Sequence, residues 1–210
     1  MTTTWIGIAI SVAWLLVAES AVASPPAVGP REAVEAAVVR VLSIVQDGQA
    51  AGAPVADRSG EIRRIAGEIF DFNEISRRAL LQHWQALPPE AQAEFVTLFR
   101  DLLERSYMAQ IEACGGERIS FVGESIEGDF ATVRSKVVTR RGTEIPLDYR
   151  LHVRDGHWRI YDVVVGWISF VASYRTQFDR VIRMESFNAL RERLQKKTLD
   201  TAAVEHRPES

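Results

Sequence analysis

Cysteine is almost absent: Cys114 stands alone in 210 residues. One thiol makes no disulfide within a chain and no cysteine-ligated metal site. Basic excess is lacking too, since the formal net charge is −3. Nucleic acid is therefore not an expected partner, and neither is a strongly basic membrane anchor. Histidine is scarce, with His83, His152, His157 and His206 at spacings that suit no metal. No H-E-x-x-H, phosphate-binding loop, G-x-G-x-x-G or G-x-S-x-G pattern occurs, and no cofactor is expected.

A bilayer-spanning run is missing as well. Trp5 to Ala18 is nearly all apolar, but about 14 residues fall short of the roughly 20 that a span needs. Ala21-Val22-Ala23 and then Ser24-Pro25-Pro26 follow it, the small-residue pattern of a cleavage site. No lysine or arginine precedes Arg31, so the terminal amine alone supplies the usual positive start. The expected organisation is a signal peptide over residues 1–23, a domain over 24–197 and a disordered tail over 198–210. No cysteine sits at the cleavage site, which excludes a lipid-modified N-terminus and points to the periplasm.

What is present is a globular pattern, 47% hydrophobic and 25% charged. Val34, Val38, Val41, Leu42 and Val45 recur at helical spacing over Arg31 to Val45. Gln46 to Gly60 reads as a loop, and Glu61 to Ile69 as a short helix. Asn73 is placed to cap another, reaching about Gln82. Pro88-Pro89 opens the longest helix, in which Phe95, Phe99, Leu103, Tyr107 and Ile111 recur every four residues before Gly115-Gly116. The period then changes to two. Ile145, Leu147, Tyr149, Leu151 and Val153 alternate with polar residues, which places His152 on a wet face. Strands are expected at 118–126, 130–140, 144–154 and 157–165, with turns at Arg141-Gly142 and Asp155-Gly156. Helix returns from Ile168 to Met184 and from Phe187 to Lys197. This order predicts an α+β domain with a four-stranded antiparallel curved sheet packed against several helices.

Two readings stand for Asp162. It is either a general base of an enzyme on this scaffold, or an anchor for arginine and backbone groups where the last strand meets a helix. The aromatic residues are also ambiguous, because each fills either a core or the wall of a cavity.

Three blocks carry a resemblance. They are Trp158-Arg159-Ile160-Tyr161-Asp162-Val163 with Ser173-Tyr174-Arg175-Thr176-Gln177-Phe178, then Phe70 to Leu80 with His83-Trp84, then Glu94 to Tyr107. In order and spacing, from about Arg31 to about Lys197, the chain resembles the MlaC (toluene-tolerance) family of periplasmic lipid-binding proteins. The resemblance implies a cavity between sheet and helices that holds phospholipid acyl chains, with the head group near solvent. Candidate lipid-binding residues are Trp84, Phe95, Phe99, Leu103, Tyr107, Val133, Val137, Tyr149, Leu151, Trp158, Ile160, Trp167, Phe170 and Tyr174. It further implies a carrier, not an enzyme. The implied partners are an inner-membrane ABC transporter complex with a lipid-binding tethered subunit and an outer-membrane lipoprotein complex. Hopanoid or another hydrophobic cargo is the alternative to phospholipid. The chain departs from the family pattern at Gly166-Trp167, where an acidic residue followed by glycine is usual. Trp167 is expected at the pocket mouth.

Overall fold

The computed structural model of the protein describes residues 26–51, 54–113 and 117–199. The expected signal peptide, Cys114 and most of the expected tail lie outside the described residues. Helices come first: α1 (Pro30–Ala50), α2 (Val55–Ile69), α3 (Phe72–Leu80), a 3-10 turn (Leu81–Ala86) and α4 (Pro89–Ala113). A sheet follows, made of β1 (Arg118–Glu127), β2 (Phe130–Val138), β3 (Glu144–Arg154), β4 (His157–Val165) and β5 (Ile168–Ser169). Two helices follow the sheet among the described residues, α5 (Phe170–Met184) and α6 (Phe187–Gln195).

The sheet is an antiparallel meander in the order β1-β2-β3-β4-β5. It has five strands rather than the four expected, because Ile168 and Ser169 pair back onto Val165 and Val164 before the helix starts. The α+β expectation otherwise holds. Two bulges bend the sheet, one at Phe121/Gly123 and one where Arg150-Leu151 faces Ile160 to Asp162. A bulge adds a residue to one strand, so it raises local twist and re-aims the side chains after it.

Other boundaries also move. The expected loop at Gln46–Gly60 is mostly helical, since α1 runs on to Ala50 and α2 starts at Val55 behind Pro54. Alanine is the strongest helix former and proline fits ahead of a first turn, so the break is short. Asp71, not Asn73, caps α3, with its Oδ1 accepting from the Glu74 amide at 3.0 Å. Leu199 is 7% exposed against the helical core, so packed chain continues past Lys197.

Two separate cores result. One is helical, formed by α3 to α6 around Phe95, Phe99, Tyr174 and Phe178, whose rings meet at 5.0 to 5.7 Å between centroids. The other lies between the sheet and α1, with Val34 against Val133, Leu151, Trp158 and Ile160. The Phe70-Asp71-Phe72 segment runs along the edge of β4, with Phe70 in a parallel bridge to Ile160. Asp71 donates its backbone N–H to the Ile160 carbonyl at 2.9 Å there. His152 is consequently not on a wet face: its ring packs near Phe130 and Tyr161 and its Nε2 lies 3.0 Å from Asp71 Oδ2.

Candidate lipid-binding cavity

Between the two cores the protein keeps a cavity of about 430 Å³. Ligand cavities run from about 300 to 1,000 Å³, so this one has useful size. Its floor comes from the sheet, through Leu147 and Tyr149 of β3 and Tyr161, Val163 and Val165 of β4. Helix α4 supplies Phe99, Leu103, Tyr107, Met108 and Ile111. Ile62 and Ala66 of α2, Phe70, Phe72 and Ile75 near α3, and Phe170, Val171 and Tyr174 of α5 complete the wall. The inner sheet face is thus divided along its strands. Its Leu151–Trp158 end packs on α1 and its Leu147–Val165 end faces the cavity.

Polar groups in the wall are held by hydrogen bonds and ion pairs. Glu104 binds Arg63 at 3.3 Å and Arg100 at 2.7 Å. Tyr107 and Tyr174 approach hydroxyl to hydroxyl at 3.5 Å, and the Tyr107 ring stacks on Phe170 at 4.9 Å. Burial pushes the Tyr107 and Tyr149 phenols well above their usual range, so both stay neutral at ordinary pH. Asp162 has both oxygens occupied. Its Oδ1 accepts from the Val171 amide at 3.1 Å, and its Oδ2 accepts from Ser169 Oγ at 2.6 Å and Arg150 at 3.2 Å. Ser169 also caps α5 by accepting from Ala172 N. Asp162 therefore stands at the strand-to-helix junction as an anchor. Among the described residues no group of three His, Cys, Asp or Glu side chains converges on a metal position.

A second cleft, of about 640 Å³ and mostly polar, adjoins the cavity through Phe70, Phe72 and Glu104. Asp71 is its fixed point, bonded to Arg154 at 2.7 and 2.8 Å as well as to His152. Burial would raise the Asp71 carboxyl. Arg154, the Glu74 amide and His152 outweigh burial and hold it below the ordinary carboxylate range.

Of the candidate residues, Phe99, Leu103, Tyr107, Tyr149, Phe170 and Tyr174 share the cavity wall. The others stand elsewhere. Phe95 and Trp84 belong to the helical core, and Val133, Leu151, Trp158 and Ile160 to the core under α1. Val137 is half-buried opposite Ile145, outside the wall. Trp167 does not reach the cavity: it is 82% exposed at the tip of the β4–β5 turn.

Tyr161, Val163 and Val165 were hidden from alternation, because the β4 bulge reverses parity after Ile160. Strict alternation from Trp158 assigns Asp162 and Val164 to the wall; Asp162 does reach it and Val164 does not. Nothing in the residues of β4 announces that bulge. Ile62 falls in the expected Glu61–Ile69 helix, and Phe70 and Phe72 in the Phe70–Leu80 block.

Comparison with known proteins places this architecture. The family model described as MlaC protein matches residues 35–196. The Toluene tolerance protein ttg2D of Pseudomonas putida is 25% identical over 119 residues, 56% of this chain. That match spans only 55% of the length of the relative. A solved structure of a phospholipid-binding protein from Ralstonia solanacearum, in complex with a phospholipid, superposes with a TM-score of 0.72 at 22% identity. It covers 81% of this chain and 97% of the other, so the two share a fold. With the model match spanning most of the described residues, the chain belongs to the MlaC family.

Proposed function

We propose that this protein is a periplasmic phospholipid carrier that holds acyl chains in the cavity between its two cores. The carrying observation is the cavity itself, walled by apolar side chains from four helices and two strands, with its polar groups already paired. The phospholipid bound to the Ralstonia solanacearum protein of the same fold supports the choice of cargo. Hiding a methylene from water is worth about 0.8 kcal/mol, so a dozen give roughly 10 kcal/mol. A bilayer offers nearly the same, which lets a carrier both load and unload.

The enzyme alternative has little to stand on. A general base needs a lone pair free for substrate, and Asp162 is engaged on both oxygens. No nucleotide-binding pattern is present, so directional transport draws its energy from partners. The partners in this reading are an inner-membrane ABC transporter complex and an outer-membrane lipoprotein complex. Residues 1–23 direct export and are then removed, so the mature chain starts at Ser24.

Transfer of labelled phospholipid tests this function. Protein loaded with labelled lipid should deliver it to acceptor vesicles at a rate set by protein concentration. Label that never leaves the protein, or that leaves as a hydrolysed product, would count against a carrier.

A further inference from the structure

The β4–β5 turn combines features that the cavity does not explain. Gly166 and Trp167 form a two-residue turn with positive φ at both positions, 53° and 75°. Such turns suit glycine, and a bulky residue in this region is strained. Trp167 is nevertheless held there, 82% exposed, with Ile168 beside it 49% exposed. Strain that persists at a solvent-facing aromatic is a mark of function. The turn also adjoins the cavity, since Val165 before it and Phe170 after it both line the wall.

Cations surround this end of the sheet. Gly166 N–H donates to the Pro146 carbonyl at 3.0 Å, and Pro146 pairs with Lys136 across the β2–β3 hairpin that ends in Arg140 and Arg141. Arg118 opens β1 opposite Val138 at the same end. The nearby acids Glu117 and Glu144 are matched by Arg140 and Lys136. Arg118 and Arg141 are exposed and carry no ion pair among the described residues.

We infer that the Trp167–Ile168 tip, with Arg118 and Arg141 at the same end of the sheet, is a docking site for an anionic lipid bilayer surface. Tryptophan favours the headgroup level, where its ring is half-apolar and its N–H finds a partner. Arginines next to it are drawn to acidic headgroups. A protein partner fits less well, because a stable interface takes about 800 Å² from each side and two side chains on a turn offer far less. Among the described residues no helix is long and apolar enough to cross a membrane, so docking here is peripheral. Bilayer docking stands apart from cargo binding. Its use, bringing the cavity wall to the surface that supplies or receives lipid, rests on the carrier reading.

Flotation of protein recovered from the periplasm tests the docking. Vesicles of phosphatidylethanolamine with phosphatidylglycerol are compared with neutral phosphatidylcholine vesicles. The protein should float with the anionic vesicles and release as salt rises. Trp167→Gly should bind about tenfold less, with Tm equal to or above that of the parent. Arg118→Glu and Arg141→Glu should each weaken binding about fivefold or more. Parent protein that does not float, or Trp167→Gly that floats as well as the parent, overturns the inference. So does capture of a protein partner through Trp167 without vesicle binding. Lipid extracted from the same preparations is read separately: lipid present without flotation sinks the docking alone, and lipid absent sinks the carrier reading.

Discussion

Leu103 and Phe95 lie on the same helix eight residues apart, yet they meet different surroundings. Phe95 is 1% exposed among Phe99, Phe178 and Phe187. Leu103 borders the cavity. Overpacking a tight core costs about 1–3 kcal/mol, whereas a larger side chain beside a void has room. Phe95→Trp should therefore lower stability by about that amount. Leu103→Trp should leave the fold stable and cut bound lipid, as read by extraction and calorimetry. Both residues sit on one four-residue stripe, and periodicity alone does not tell a core from a cavity wall. Asp71 gives a second prediction. Its folded pKa lies below the unfolded value of about 3.9, so its stabilisation is complete above that pH and is lost as pH falls through the folded pKa. Asp71→Asn should melt lower than the parent at neutral pH, and the gap should shrink below about pH 4. A gap that is constant with pH would remove Asp71 from the acid response.

At the scale of elements, the β4–α5 junction fixes the cavity. Asp162 ties the end of β4 to Arg150 of β3 and to the first turn of α5 through Ser169 and Val171. Removing the charge leaves an amide that no longer suits both Arg150 and Ser169. Asp162→Asn should cost about 2 kcal/mol in denaturant unfolding and loosen α5, while a small residual lipid content remains. Much of this junction was legible. The β4 limits at His157 and Val165 agree with the period-two pattern, and the anchor is one of the two readings that the sequence offers for Asp162. The β5 pairing was not legible, since Ile168-Ser169 is too short to show a period. The parity reversal in β4 follows from tertiary geometry, where the Phe70–Phe72 segment bonds to Ile160 and the bulge accommodates it. For the same reason Trp167, expected at the pocket from its neighbours in sequence, ends on the outside of a tight turn.

At the scale of the molecule, two cores share one cavity and neither closes it. A lipid that fills the cavity of about 430 Å³ covers its apolar wall and adds stability by mass action. Delipidated protein should melt several degrees lower than protein as purified, and phospholipid should restore the difference. The most direct measurement is native mass spectrometry of protein recovered from the periplasm, followed by organic extraction and identification of what it held. The account predicts a stoichiometric phospholipid, lost with the cavity-filling Leu103→Trp and kept in the tip variant Trp167→Gly. A chain that carries no lipid, or a stoichiometric polycyclic lipid in place of phospholipid, would contradict it.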